Sequence, residues 1–226
     1  MMKRIFRNAS RSAVAIAAMV VIHAAPAAGQ VQNGGFESSS APSGSFATLN
    51  AGQNFGNWTV SSGTIDLING YWQAASGTYS LDMDGYSSGA IFQNVITNPG
   101  SQYSLSFAMA GNPGGGSAIK TLNVLWDGTF AQAFTFDITG RSNGAMGWQT
   151  MVLDNLVASG STTRLEFQSA NDGSGGCCWG PALDDVSLTA VTTTPEPASV
   201  VLLGTGLLGV VTMSRRRRKD TRATEV

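Results

Sequence analysis

Through the middle of the chain apolar and small polar residues take turns. Tyr103, Leu105, Phe107 and Met109 fall on one side of an extended segment, and Ser104, Ser106 and Ala108 on the other. The same period of two returns with Leu122, Val124 and Trp126, with Phe134, Phe136 and Ile138, and with Leu165 and Phe167. Segments 64–68, 78–83, 90–96, 149–157 and 183–188 are further strand candidates. Between them stand turn formers: Asn98-Pro99-Gly100, Asn112-Pro113-Gly114-Gly115-Gly116, Asp127-Gly128 and Asn171-Asp172-Gly173. The glycine run 114–116 reads as a flexible loop. No stretch of the body carries the 3.6-residue period of a long amphipathic helix. Eight or nine short strands predict an all-β fold, an antiparallel β-sandwich, because single apolar faces alternate instead of running continuously. A β-helix is the rival architecture, but no internal repeat of constant period supports it.

The two ends break this pattern. Lys3, Arg4, Arg7 and Arg11 precede an apolar run from Ala13 to Ile22, and small residues follow, with Ala25 and Ala27 in A-x-A spacing. This order predicts a signal peptide over 1–28 and a body over 30–190. At the other end, a polar linker over 191–197 leads into an uncharged apolar segment, Ala198 to Met213, predicted as a transmembrane helix over 198–214. A basic tail, 215–226, should remain on the cytoplasmic side. Pro195, Glu196 and Pro197, then the apolar segment, then Arg215, Arg216, Arg217 and Arg218 resemble a PEP-CTERM sorting signal. The resemblance implies anchoring in the inner membrane, recognition by an exosortase-type processing enzyme, and delivery to the cell surface or extracellular matrix.

Charge changes the picture once the ends are set aside. The chain has 13 basic and 14 acidic residues, but span 30–194 holds only Lys120, Arg141 and Arg164 against eleven acids, a net charge of −8. Such a body repels nucleic acid. The one histidine, His23, lies in the predicted signal peptide, which removes Ser-His-Asp, Cys-His and histidine–metal chemistry from the body. No nucleophile elbow or phosphate-binding loop is present. Catalytic residues are therefore expected to be none. The enzyme alternative is a glycan hydrolase built on paired acids, Asp82 with Asp84 or Asp184 with Glu37. Asp66, Asp127, Asp137 and Asp172 read as solvated acids at turns and strand edges.

The body opens with Asn33-Gly34-Gly35-Phe36-Glu37 and closes with Gly180-Pro181-Ala182-Leu183-Asp184-Asp185-Val186-Ser187-Leu188. With Trp58 and Asn98-Pro99-Gly100 between them, this order resembles the galactose-binding-like jelly-roll domains. More narrowly it is similar to the choice-of-anchor C family and the domain-of-unknown-function 642 proteins of plant cell walls. The resemblance implies a structural calcium held by Glu37 and by Asp184 or Asp185, which would pin the first strand to the last; the sequence leaves open which aspartate faces inward. It also implies a carbohydrate-binding role more than any particular ligand.

Aromatic side chains carry the ligand question, because rings can cover the C–H faces of sugars while short polar groups meet the hydroxyls. Tyr71 and Trp72, beside Asn69-Gly70, and Trp179, in a glycine-rich approach to the last strand, are the candidate binding residues. Packing under a loop is the alternative for Tyr71 and Trp72. Trp58 and Trp126 belong to alternating patterns and read as core. Cys177 and Cys178 are the only cysteines, and their adjacency leaves a vicinal disulfide, a shared covalent site and two free thiols all open. The sequence therefore predicts an exported, non-catalytic surface protein that binds a polysaccharide or cell-surface glycan. A protein-interaction module without sugar binding is the alternative.

Overall fold

A computed structural model describes residues 31–40, 42–170 and 178–191. The predicted signal peptide, the PEP segment, the transmembrane helix and the basic tail lie outside the described residues. All regular elements among the described residues are strands: β1 (Phe46–Asn50), β2 (Asn54–Phe55), β3 (Trp58–Ser62), β4 (Thr64–Asn69), β5 (Tyr79–Asp82), β6 (Ala90–Ile96), β7 (Gln102–Gly111), β8 (Ile119–Trp126), β9 (Thr129–Asp137), β10 (Gln149–Val157), β11 (Thr162–Ser169) and β12 (Pro181–Ala190). They form two six-stranded sheets, β1-β4-β5-β12-β7-β10 and β2-β3-β6-β11-β8-β9, and all their pairings are antiparallel. From β5 to β8 successive strands alternate between the sheets, a winding consistent with a jelly roll.

The nine segments with visible alternation are all strands. The sequence reading missed β1 and β2 and marked β3 only through the alternation around Trp58, because these elements of two to five residues are interrupted by Gly52, Gly56 and Gly63. Asp127-Gly128, with φ of 54° and 76°, forms the two-residue turn between β8 and β9, where Trp126 pairs with Thr129.

Register fixes which side chains enter the sandwich. Leu67, Leu81, Leu183 and Met109 stand side by side across β4, β5, β12 and β7. They share a face with Phe107, whose ring meets Phe134 at 5.1 Å and Phe167 at 5.2 Å from the opposite sheet. Trp58 joins this layer against Phe167, and both Trp58 and Trp126 are buried. One residue away, Asp66, Asp82 and Ala182 form the next row and therefore point to the outer face of the first sheet. That face is where the candidate site lies.

The opening and closing motifs meet. The Val186 N–H donates to the Gly34 carbonyl at 3.0 Å. A Cβ on Gly34 would stand 1.9 Å from the Val186 oxygen, so only glycine fits there. Val186 follows a bulge between Asp184 and Ser187, with Asp185 at φ 49°, and the bulge returns Val186 and Leu188 to the core side. Phe36 then plugs the end of the sandwich at 0 % exposure, against Phe55 and Trp58, while the Trp58 Nε1–H donates to the Asn33 carbonyl. Replacing Phe36 with alanine should therefore cost about 3–5 kcal/mol, read as a lower urea midpoint with an unchanged slope. A loss below about 1 kcal/mol would mean that the plug contributes little.

Candidate functional site

The outer face of the first sheet carries a polar hub. Asp82 is 1 % exposed. Its Oδ1 accepts the N–H groups of Asp84 and Gly180, and its Oδ2 accepts Asn112 Nδ2 at 2.7 Å. A Cβ on Gly180 would lie 2.5 Å from Asp82 Oδ1, so glycine is required for the chain to come this close. Burial pushes the Asp82 carboxyl up to about 8, against the hydrogen bonds that favour its charged form. Asp66 is its direct cross-strand neighbour. Asp66 is 8 % exposed and is also raised by burial; among the described residues its Oδ1 is engaged, by Thr48 Oγ1 at 2.5 Å. Asp66 is thus no solvated turn acid: an outward position in β4 becomes enclosed because loops cover the sheet. Asp127 and Asp137 are exposed, as expected for such acids, and Asp172 lies outside the described residues.

Asn112 extends the hub into the glycine run. Its Nδ2 also donates to the Cys178 carbonyl, and its Oδ1 accepts the Gly114 N–H. The run is not a free loop. Gly114 and Gly115 lie flat against the Trp179 indole, where a Cβ on either would come within 2.9 Å of a ring atom. Lys120 locks it from below. This lysine is fully buried and donates to the carbonyls of Gly115 at 2.7 Å and Trp179 at 2.6 Å. Burial lowers its pKa, and the carboxyls of Asp82 and Asp84 oppose that shift.

These parts enclose a cavity of about 100 Å³. Asp66, Asp82 and Asn112 line it on the sheet side, and Phe46, Tyr71, Trp72 and Trp179 supply its rings. Tyr71 and Phe46 are roughly half exposed and meet edge to face at 5.8 Å. Trp72 is different: it is buried, its Nε1–H donates to Ser80 Oγ at 2.9 Å, and it packs at 5.7 Å under Tyr71. The structure thus gathers all three candidate aromatics at one cavity, with Trp72 as its buried support. Cys178 also lines it, at φ 85°, and is disulfide-bonded; Cys177 lies outside the described residues.

Sequence reasoning did not single out Phe46, Asp66, Asn112 or Lys120 for this site. For Lys120 a signal existed. It continues the inward positions of Leu122, Val124 and Trp126, so the alternation already placed a charge on the apolar side. Phe46 carried no such signal, since it enters through the pairing of β1 with β4.

Glu37, Asp184 and Asp185 also converge, on loop 75–79. Glu37 Oε1 accepts the N–H groups of Thr78 and Tyr79 at 2.7 and 2.8 Å. Asp184 is the buried one of the two aspartates, enclosed on the outer face of β12 by loop 75–79, and its Oδ2 accepts those of Ala75 and Ser76. Its Oδ1 takes the N–H of Asp185, while Asp185 is exposed and accepts Ser76 Oγ. Burial lifts the Asp184 carboxyl to about 7. As placed, these acids serve amide and hydroxyl donors. The named oxygens are occupied by N–H and O–H donors, and among the described residues no three His, Cys, Asp or Glu side chains group as a metal site.

A second, larger groove of about 250 Å³ lies on the outer face of the other sheet, beside Phe92 and Gln93. It is less suited to a ring-shaped ligand. Gln93 spends its amide on the main chain of Gln32 and Asn57, and the Arg164 guanidinium already covers Phe92 at 3.6 Å.

Among known proteins, the chain is 28 % identical over 166 residues to halomucin of Haloquadratum walsbyi, an alignment that covers 70 % of this chain and 2 % of that protein. It thus spans a small fraction of that relative's length. Similar solved structures include the carbohydrate-binding module TmCBM61 in complex with β-1,4-galactotriose, at 17 % identity and TM-score 0.44, covering 71 % of this chain and 97 % of that one. Another is the carbohydrate-binding module CBM36 in complex with calcium and xylotriose, at 14 % identity and TM-score 0.40, covering 64 % and 99 %. Residues 193–218 match the PEP-CTERM protein-sorting motif. Residues 29–189 match the family model described as protein of unknown function DUF642, and the chain belongs to that family.

Proposed function

We propose that this is an exported, non-catalytic surface protein whose body binds glycan in the ring-lined cavity on the first sheet. The observation that carries the reading is the convergence of Phe46, Tyr71 and Trp179 with Asp66, an acid more than nine-tenths buried, around one small opening. Rings offer an apolar face, and a carboxylate oxygen accepts a hydroxyl. The carbohydrate-binding modules named above are only partial likenesses, and the reading rests on the cavity. A structural module that binds other proteins is the runner-up. Purified protein applied to an array of polysaccharides should bind at least one. Tyr71→Ala and Trp179→Ala should each weaken that binding about tenfold, in line with roughly 1–2 kcal/mol for a lost ring contact. Trp72→Ala should instead lower the melting temperature, because its ring is buried support. Full binding by both of the first two variants would remove the cavity from the function.

For the acid corner we infer an amide staple that works without calcium. Chelation should leave the melting temperature unchanged. A drop that added calcium restores, and that Glu37→Ala abolishes, would place an ion there instead.

For the tail, the matched sorting motif supports handling at the inner membrane by an exosortase-type enzyme, after export through the signal peptide. Peptide mass spectrometry of surface material should then find nothing from Arg215 onward. Recovery of 215–226 on the mature protein would mean a permanent anchor.

A further inference from the structure

Resting on the glycan reading, we propose that the cavity prefers a cationic, amino-bearing sugar unit over a neutral or acidic one. The argument is one of unmet charge at the cavity. Asp66 lines it, is more than nine-tenths buried, and has its Oδ1 engaged by a neutral hydroxyl. Asp82 stands directly beside it in register. The body has three basic residues, and each is committed elsewhere. Lys120 turns its ammonium onto two backbone carbonyls, Arg164 sits over Phe92 and pairs with Glu166 on the other sheet, and Arg141 lies over Phe136. A sugar carboxylate or sulfate entering here would meet Asp66, whose Oδ1 partner is a neutral hydroxyl and not a cation, while the Lys120 charge lies toward Asp82 and Asp84. A neutral hydroxyl could donate to Asp66. An ammonium could do so with charge assistance and also lie against the rings of Tyr71, Phe46 and Trp179, whose π faces attract cations.

Size and long-range charge agree. A water needs roughly 10–15 Å³ of such space, so the cavity of about 100 Å³ admits several water-sized groups: the amino-bearing edge of one ring and no more. The net charge of −8 on the body would draw a polycationic glycan toward this surface and repel a polyanionic one.

The test is calorimetric titration of the full chain with three trimers: glucosamine, N-acetylglucosamine and glucose. The glucosamine trimer should bind about tenfold more tightly than the other two, the increment expected for one charge-assisted contact in an enclosed site. Asp66→Asn keeps the size of the side chain and its acceptor for Thr48, so it should bring the glucosamine trimer down to the affinity of the neutral trimers. Tyr71→Ala should weaken binding of whichever trimers bind. Equal affinity for all three trimers, or an Asp66→Asn variant that still prefers glucosamine, would overturn the charge argument and leave the glycan reading intact. If no trimer binds while circular dichroism shows folded protein, the glycan reading fails and this inference fails with it.

Discussion

Three separate stretches of chain end on the carboxyl of Asp82: the turn after β5, the glycine run through Asn112, and the approach to β12 through Gly180. An acid enclosed this fully costs free energy unless its oxygens are met, and the chain meets them by bringing loops together over the outer face of the sheet. Without that requirement, little would hold the Gly114–Gly116 segment against Trp179 or draw Gly180 within reach of β5. The cavity is the gap left where these loops and the Tyr71–Trp72 loop fail to close completely.

Lys120 is the counterweight. Its ammonium satisfies two carbonyls that the fold has turned inward, and its charge lies near Asp82 and Asp84. Aliphatic carbons of its stem pack against Gly111, where a Cβ would come within 2.5 Å. The lysine therefore links the sandwich core to the outer loops. It fixes the position of Trp179 through that residue's carbonyl. Two residues along β12 from the partner of Asp82, the same physics takes a second form: Glu37 and Asp184 gather the amides of loop 75–79. In both places short acids do for irregular backbone what a ladder of strand hydrogen bonds does for regular backbone. Tyr71 and Trp72 are held between these two anchors, with Trp148 bracing the next residue by donating to the Gln73 carbonyl.

The sequence by itself determined the sandwich and much of its interior. Where apolar residues alternate over seven or more positions, as in 103–109 and 119–126, the pleat leaves one choice of face. Leu105, Phe107, Leu122 and Val124 are buried accordingly. It also brought out Tyr71, Trp72 and Trp179 as rings in irregular, glycine-rich surroundings, and the opening and closing motifs as a pair. Tertiary structure alone decided what those pieces amount to. Cross-strand register put Asp66 next to Asp82, and no local pattern encodes register between β4 and β5. Loop 75–79 closed over Asp184 on the outer face of β12, while the bulge at Asp185 sent Val186 back to the core side and left Asp185 exposed. Loop cover turned Asp66 from an outward acid into an enclosed one and made Trp72 a buried support while Tyr71 stayed exposed. Burial, register and loop closure depend on residues far apart in the chain, so they become visible only when those residues are brought together.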